Sequence, residues 1–185
     1  MNVYDFDNTI LCGDSTARFF GYCLLHRPRM WSDVPAQMLN GLLFVLKIRK
    51  KQAFKERMLH FLTLIGDVDT TVSAFWGANS DRVKDWYMQQ RRADDVVISA
   101  SPEFLILPVC RKLGVSCVMG SPVDKNTGKF FGANCHGKEK VRRFREIYPE
   151  AQIDRFYSDS YSDTPMAELA AEAWLVKGSK LRPWK

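Results

Sequence analysis

Apolar and polar positions divide the chain into two unlike parts. A short apolar start runs into Asp5-Phe6-Asp7-Asn8-Thr9, so residues 2–6 read as a strand with Asp5 and Asp7 at its exit. From there to about residue 91 the spacing is helical. Thr16, Phe19, Phe20, Cys23 and Leu24 share a face, and Pro28 closes that helix. Met38 to Ile48 is apolar on nearly every side, which predicts a helix covered on more than one face. Phe54, Met58, Phe61, Leu62 and Ile65 form a stripe that stops near Gly66, and Val72, Phe75, Trp76, Val83, Trp86 and Tyr87 mark a helix or a broken pair. The Trp and Met residues of this stretch read as packing.

The second half changes period. Val96-Val97-Ile98 is a buried-strand signal, and Ser101-Pro102 reads as a helix N-cap with proline at the first helical position. A helix to Lys112 with Gly114 as its stop leads to a strand at Val115–Met119. Asp124-Lys125-Asn126-Thr127-Gly128 is hairpin-turn chemistry. Gly137 precedes a basic helix to about Tyr148, Ile153–Tyr157 is a strand, and a small helix (Met166–Ala171) and a last strand (Ala173–Val176) follow. Strands alternating with helices predict an α/β fold with a parallel sheet, here with an all-helical insertion between the first and second strands. The division is 1–13 and 92–185 for the core and 14–91 for a helical cap subdomain.

Composition narrows the function without naming it. The 185 residues are 46% hydrophobic and carry a formal charge of +6, enough for an anionic substrate and without the basic clustering of a nucleic-acid module. Five scattered cysteines, never in a Cys-x-x-Cys spacing, and three histidines fit free thiols in a reducing compartment, not a structural zinc site. No signal peptide fits before Asp5, and the longest apolar run, Leu42–Leu46, cannot cross a bilayer. These features predict a cytoplasmic chain.

The polar clusters fall at strand ends, where open α/β folds bind ligands. Asp5 and Asp7 leave the first strand, Ser99 the second, and Asp159 with Asp163 a later one, while Lys140 starts a helix. Several carboxylates in one place repel unless a cation sits among them, and an all-oxygen set favours Mg²⁺. With a lysine and a hydroxyl to neutralise phosphate oxygens, one Asp can attack phosphorus and another can move the leaving-group proton. An EF-hand reading of Asp5, Asp7 and Thr9 fails, because Ile10 stands where that loop needs Gly and Thr16 where it needs Glu.

Asp5-Phe6-Asp7-Asn8-Thr9 resembles the first motif, Asp-x-Asp-x-Thr, of the haloacid dehalogenase (HAD) superfamily. Val96-Val97-Ile98-Ser99 resembles its second motif, and Asp159-Ser160-Tyr161-Ser162-Asp163 its fourth. The resemblance implies a Rossmann-like core with a cap between motifs I and II, as in the phosphoserine-phosphatase-like branch. It implies a phosphatase acting on a small phosphorylated metabolite, with Asp5 as nucleophile and Asp7 as general acid/base. It further implies Mg²⁺ held by Asp5, the Asp7 carbonyl and Asp159 with Asp163 in support, and Thr9 and Ser99 on the phosphoryl oxygens. Lys140 and Lys138 both compete for the third motif. Phe144 and Ile147, four and seven residues after Lys140, favour Lys140, whereas Lys138 is followed by Arg142 and Arg145. Asp14 lies where phosphoserine phosphatases carry a substrate-binding glutamate, and Arg57 is the cap candidate for a substrate carboxylate. A competing expectation is a lipid phosphate substrate at a membrane surface, suggested by Arg27, Arg29, Met30, Trp31, Leu42–Leu46 and Arg49-Lys50-Lys51.

Overall fold

The computed structural model describes residues 1–48 and 51–185, with the backbone alone at 51 and 52. Arg49, Lys50 and the Lys51 side chain, part of the basic run noted above, lie outside the described residues. Among the described residues six strands form one sheet: β1 (Asn2–Tyr4), β2 (Val96–Pro102), β3 (Cys117–Ser121), β4 (Ile153–Ser158), β5 (Ala170–Lys177) and β6 (Lys180–Pro183). Their order is β3-β2-β1-β4-β5-β6, with the first five parallel and β6 antiparallel on the edge. The chain steps outward from β1 to one side through β2 and β3, then returns to the other side through β4 and β5. The order therefore reverses at β1, which is where an open α/β sheet leaves a crevice at its carboxyl edge.

Between β1 and β2 the described chain is helical: α1 (Ser15–His26), α2 (Val34–Val45), α3 (Lys51–Leu59), α4 (Val68–Asn79) and α5 (Asp85–Gln90), with short 3-10 turns between. Asp14 caps α1 through the Ala17 amide (2.8 Å), and Asp67 caps α4 through Thr70. Phe19, Phe61, Phe75 and Trp76 pack edge-on or tilted inside this helical layer. The layer meets the sheet through Phe6, which sits edge-on to Trp76, and through Tyr4, stacked on Tyr157 and edge-on to Tyr87. The other helices are α6 (Glu103–Lys112), α7 (Lys138–Ile147) and α8 (Thr164–Ala167).

Four expectations change. Ser101 is not an N-cap: β2 continues through Pro102, Pro102 itself occupies the cap position, and α6 starts at Glu103. The pairing of Pro102 with Ser121 on β3 holds the chain extended there. The helix expected over Met166–Ala171 stops at Ala167, because Ala170 pairs with Ile153 and the sheet overrides the helical preference of alanine. A sixth strand follows Gly178 (φ 62°); it is exposed along its whole length and has no apolar alternation to announce it. Finally, the apolar helix at 38–48 is not covered on several sides. Met38, Leu39, Leu42, Val45, Leu46 and Ile48 are 54–76% exposed, and the polar Asp33, Gln37 and Asn40 face inward instead.

Candidate active site

The site grows out of the exit of β1. After Asp5 the backbone leaves the strand and enters an irregular turn, Phe6–Ile10, in which Asn8 takes a left-handed conformation (φ 55°). Asn is among the few side-chain-bearing residues that tolerate that region. The turn is closed by Asn8 N–H to the Gly13 carbonyl (3.0 Å) and Leu11 N–H to the Phe6 carbonyl (3.0 Å), and Lys84 donates to the Asn8 carbonyl. Asp5 and Asp7 are thereby held on the crevice side.

Lys140, buried in the first turn of α7, places its Nζ 2.7 Å from Asp5 Oδ1 and 2.7 Å from Asp163 Oδ2. Ser158 Oγ donates to the same Asp163 oxygen at 2.8 Å, while Asp163 Oδ1 is buried without a hydrogen-bond partner. Burial works against the charge on Lys140, but Asp5 and Asp163 outweigh it and its pKa rises. Burial pushes the Asp5 carboxyl up, and Lys140 opposes that rise. A lysine on this spot remains an ammonium ion between two carboxylates. Lys138 is exposed two residues earlier and takes no part.

Asp7 is oriented by a separate set of donors. Ser15 N–H reaches Asp7 Oδ1 at 2.7 Å, and Ser101 Oγ donates to Asp7 Oδ2. Ser101 Oγ is in turn 3.0 Å from Ser15 Oγ and 3.2 Å from Thr16 Oγ1. Burial raises the Asp7 pKa, with Asp14 adding to the effect and the Ser101 and Ser15 hydrogen bonds opposing it. Ser99, nearly fully buried, accepts the Ser101 N–H at 3.1 Å, which leaves its own hydroxyl proton for a ligand. Asp159 is half-buried, its carboxyl raised chiefly by burial, and its carbonyl accepts from Lys177 Nζ at 2.6 Å.

Asp5, Asp7, Asp14, Ser99, Lys140, Asp159 and Asp163 line one cavity at the carboxyl edge of the sheet. A second cavity shares Asp7 and Asp14 with it and extends under the helical layer, bounded by Lys55, Met58 and Leu59 of α3 and by Phe130. The structure does not bring every expected residue there. Thr9 is fully buried, its Oγ1 lacks a partner, and it does not line the cavity. Arg57 pairs with Asp33 at 2.5 Å inside the helical layer, away from both cavities. Among the described residues no group of three or more His, Cys, Asp or Glu side chains forms a ready set of metal ligands.

Ser15, Ser101 and Ser158 complete the site and escaped the sequence reading. Ser101 had a signal: two residues after Ser99 on a strand, its side chain must leave the same face. Ser158, the last residue of β4, and Ser15, the first of α1, carry no such mark.

A family model of haloacid dehalogenase-like hydrolases matches residues 3–168. Protein CicA of Caulobacter vibrioides is 28% identical over 186 residues, covering 92% of this chain and 82% of that one. Among solved structures, a Bordetella pertussis Tohama I protein of unknown function superposes with a TM-score of 0.76 at 17% identity, covering 94% of this chain and 87% of that one. A probable phosphoserine phosphatase from Vibrio cholerae shares the fold with a TM-score of 0.66 at 10% identity, over 93% of this chain and 55% of its own. With the motif residues gathered at one sheet edge and the match running through nearly the whole chain, the protein belongs to the haloacid dehalogenase-like hydrolases.

Proposed function

We propose that the protein is a Mg²⁺-dependent phosphatase that hydrolyses the phosphomonoester of a small metabolite through a phosphorylated Asp5. The observation that carries the proposal is the buried Lys140 ammonium held 2.7 Å from both Asp5 and Asp163 at the exit of β1. Its charge lets a phosphate dianion approach the Asp5 carboxylate, which water alone would not permit in so buried a place. Family membership and the fold shared with a probable phosphoserine phosphatase support the same reading.

In this reading an Asp5 oxygen attacks phosphorus and the bond from phosphorus to the leaving oxygen breaks, while Asp7 gives that oxygen its proton. Ser99 donates to a phosphoryl oxygen from the neighbouring strand. Asp7, now a carboxylate, takes a proton from water as the water attacks phosphorus, and Asp5 is released with inorganic phosphate. The acids do not stand as a ready ligand set, yet their chemistry fits a hard cation: the unpartnered Asp163 Oδ1, the carboxylates of Asp5 and Asp159 and the Asp7 carbonyl offer oxygen alone, and one lysine does not balance their charge. Asp5, Asp159 and the Asp7 carbonyl would hold Mg²⁺ with Asp163 in support, and water would complete the shell. The ion, when bound, supplies electrostatic stabilisation of the charge that develops on the phosphoryl oxygens.

Hydrolysis of p-nitrophenyl phosphate tests the proposal. Turnover is expected with Mg²⁺, lost on chelation and restored by added Mg²⁺. Asp5→Asn is expected to lower kcat by at least about a thousandfold with the fold intact. Undiminished turnover in that variant would remove Asp5 as the nucleophile. A panel of phosphorylated metabolites that includes phosphoserine then identifies the substrate.

A further inference from the structure

Helix α2 is inside out. Its polar residues at the N-cap and the fourth and seventh positions after it, Asp33, Gln37 and Asn40, point into the protein. Asp33 binds Arg57 (2.5 Å) and Gln37 (2.6 Å), Gln37 also reaches the Arg57 carbonyl (3.0 Å), and Asn40 reaches the Phe54 carbonyl (3.1 Å). The opposite stripe is left to solvent: Met38 is 72% exposed, Leu39 55%, Leu42 54%, Val45 76% and Leu46 56%. Positions 38, 39, 42, 45 and 46 recur at helical spacing and form one continuous face. Single exposed leucines need no explanation, but a whole aliphatic face with its polar partner face buried marks an interaction surface.

Charge says what covers it. Residues 27–55, which contain α2, hold seven Lys and Arg against one acid, Asp33, and that acid is paired inside the protein. This stretch has a net charge of +6, equal to that of the whole chain, and the remaining residues balance to zero. Exposed Arg29 and Lys47 stand before and after the apolar face, and Trp31, 62% exposed, stands at its start. A second copy packed face to face would bring the exposed Arg29 and Lys47 of both copies to one rim, so self-association is disfavoured. An aliphatic stripe flanked by cations and a tryptophan is instead the composition of a helix that lies in the interface of an anionic bilayer. No helix among the described residues is long and apolar enough to cross a membrane.

We propose that the exposed face of α2, with Trp31, Arg29 and Lys47 around it, docks the protein on an anionic membrane surface. Helix α2 packs on α3 through the stacked rings of Phe44 and Phe54 (4.2 Å between centroids), and α3 supplies Lys55, Met58 and Leu59 to the cavity beside Asp7. Helix α3 thus lies between α2 and the cavity.

Vesicle co-sedimentation of the full chain tests this without reference to catalysis. Binding is expected to vesicles of phosphatidylcholine mixed with phosphatidylserine, to weaken as salt rises, and to be absent on phosphatidylcholine alone. The double variant Leu42→Gln/Val45→Gln is expected to lower the partition coefficient by at least about tenfold, since it removes two buried aliphatic side chains from the lipid contact. Arg29→Glu/Lys47→Glu is expected to lower it with the apolar face intact. Both variants should melt where the wild type does, because the substituted side chains are exposed. No binding of the wild type to anionic vesicles at low salt overturns the proposal, as does binding that ignores both variants. Concentration-dependent dimerisation abolished by the apolar variant would assign the face to a second copy instead and overturn it equally.

Discussion

At the scale of single residues, burial decides what a charged side chain does. Arg57 reads in the sequence as a cation on an amphipathic helix, free to meet a substrate. In the fold it is only 25% exposed and neutralises Asp33, which is 6% exposed. Arg57→Met therefore leaves a buried carboxylate with only the Gln37 amide at 2.6 Å and the His60 ring at 3.7 Å beside it, and is expected to cost about 1–3 kcal/mol in denaturant unfolding. KM for the substrate should stay put. A raised KM with unchanged stability would return Arg57 to substrate binding. Asp95 is the opposite case. It is fully buried, burial lifts its carboxyl to about 6, and its Oδ1 has no partner, the Arg92 amide serving only Oδ2. A folded-state value above the unfolded one of about 3.9 means the native state holds the proton more tightly. Its contribution is favourable below about pH 4 and is lost as pH rises through 6. Asp95→Asn is accordingly expected to stabilise the protein by about 1–2 kcal/mol at pH 7 and by nothing at pH 4, read by thermal unfolding at the two pH values. Equal effects at both would show that the charge is not responsible.

At the scale of elements, close approach sets the limits. Gly120 on β3 lies under the start of α6, where a Cβ would stand 2.4 Å from Glu103 Cα, and its amide donates to Glu103 Oε2 at 3.1 Å. The obstacle is backbone, which cannot swing aside. Gly120→Ala is expected to destabilise by about 2 kcal/mol or more, and a denaturation midpoint equal to wild type would contradict this packing. The strands with strong apolar runs, β2 and β4, and the capped or glycine-stopped helices were legible in the sequence because local preference and tertiary pairing agree there. So were Asp5, Asp7, Ser99, Lys140, Asp159 and Asp163 as one cluster: the four acids follow strand ends, Lys140 lies in the first turn of α7, and Ser99 lies within β2 beside β1. Other features were not legible. Strand β6 is held by its edge pairing with β5 and has no core-facing residues. Ser101 carries a local cap signal that strand pairing overrides. The inverted faces of α2 come from Asp33, Gln37 and Asn40 finding partners on or beside α3, which no periodicity along α2 alone can reveal.

At the scale of the whole molecule, the helical layer and the sheet are joined at the groups that would do the chemistry. Trp76 Nε1 donates to the Leu105 carbonyl at 2.6 Å, Lys125 pairs with Asp69, and Lys55 Nζ reaches Asn134 at 2.8 Å, so the layer is tied to the core around the cavity. The innermost tie is the hydroxyl cluster at Asp7. Ser101 on β2 has one hydroxyl proton and gives it to Asp7, so the hydroxyls of Ser15 and Thr16 on α1 donate to Ser101. Asp7 is thus aimed jointly by a sheet strand and the first helix of the helical layer. A carboxyl that protonates a leaving oxygen needs that aim most when the leaving group is a poor one. Ser101→Ala is expected to lower kcat about tenfold for an alkyl phosphate and far less for p-nitrophenyl phosphate, whose phenolate departs with little help. Ser101→Thr, which keeps the hydroxyl, should restore most of the loss. An equal loss on both substrates would mean that Ser101 shapes the site in general and does not position the acid.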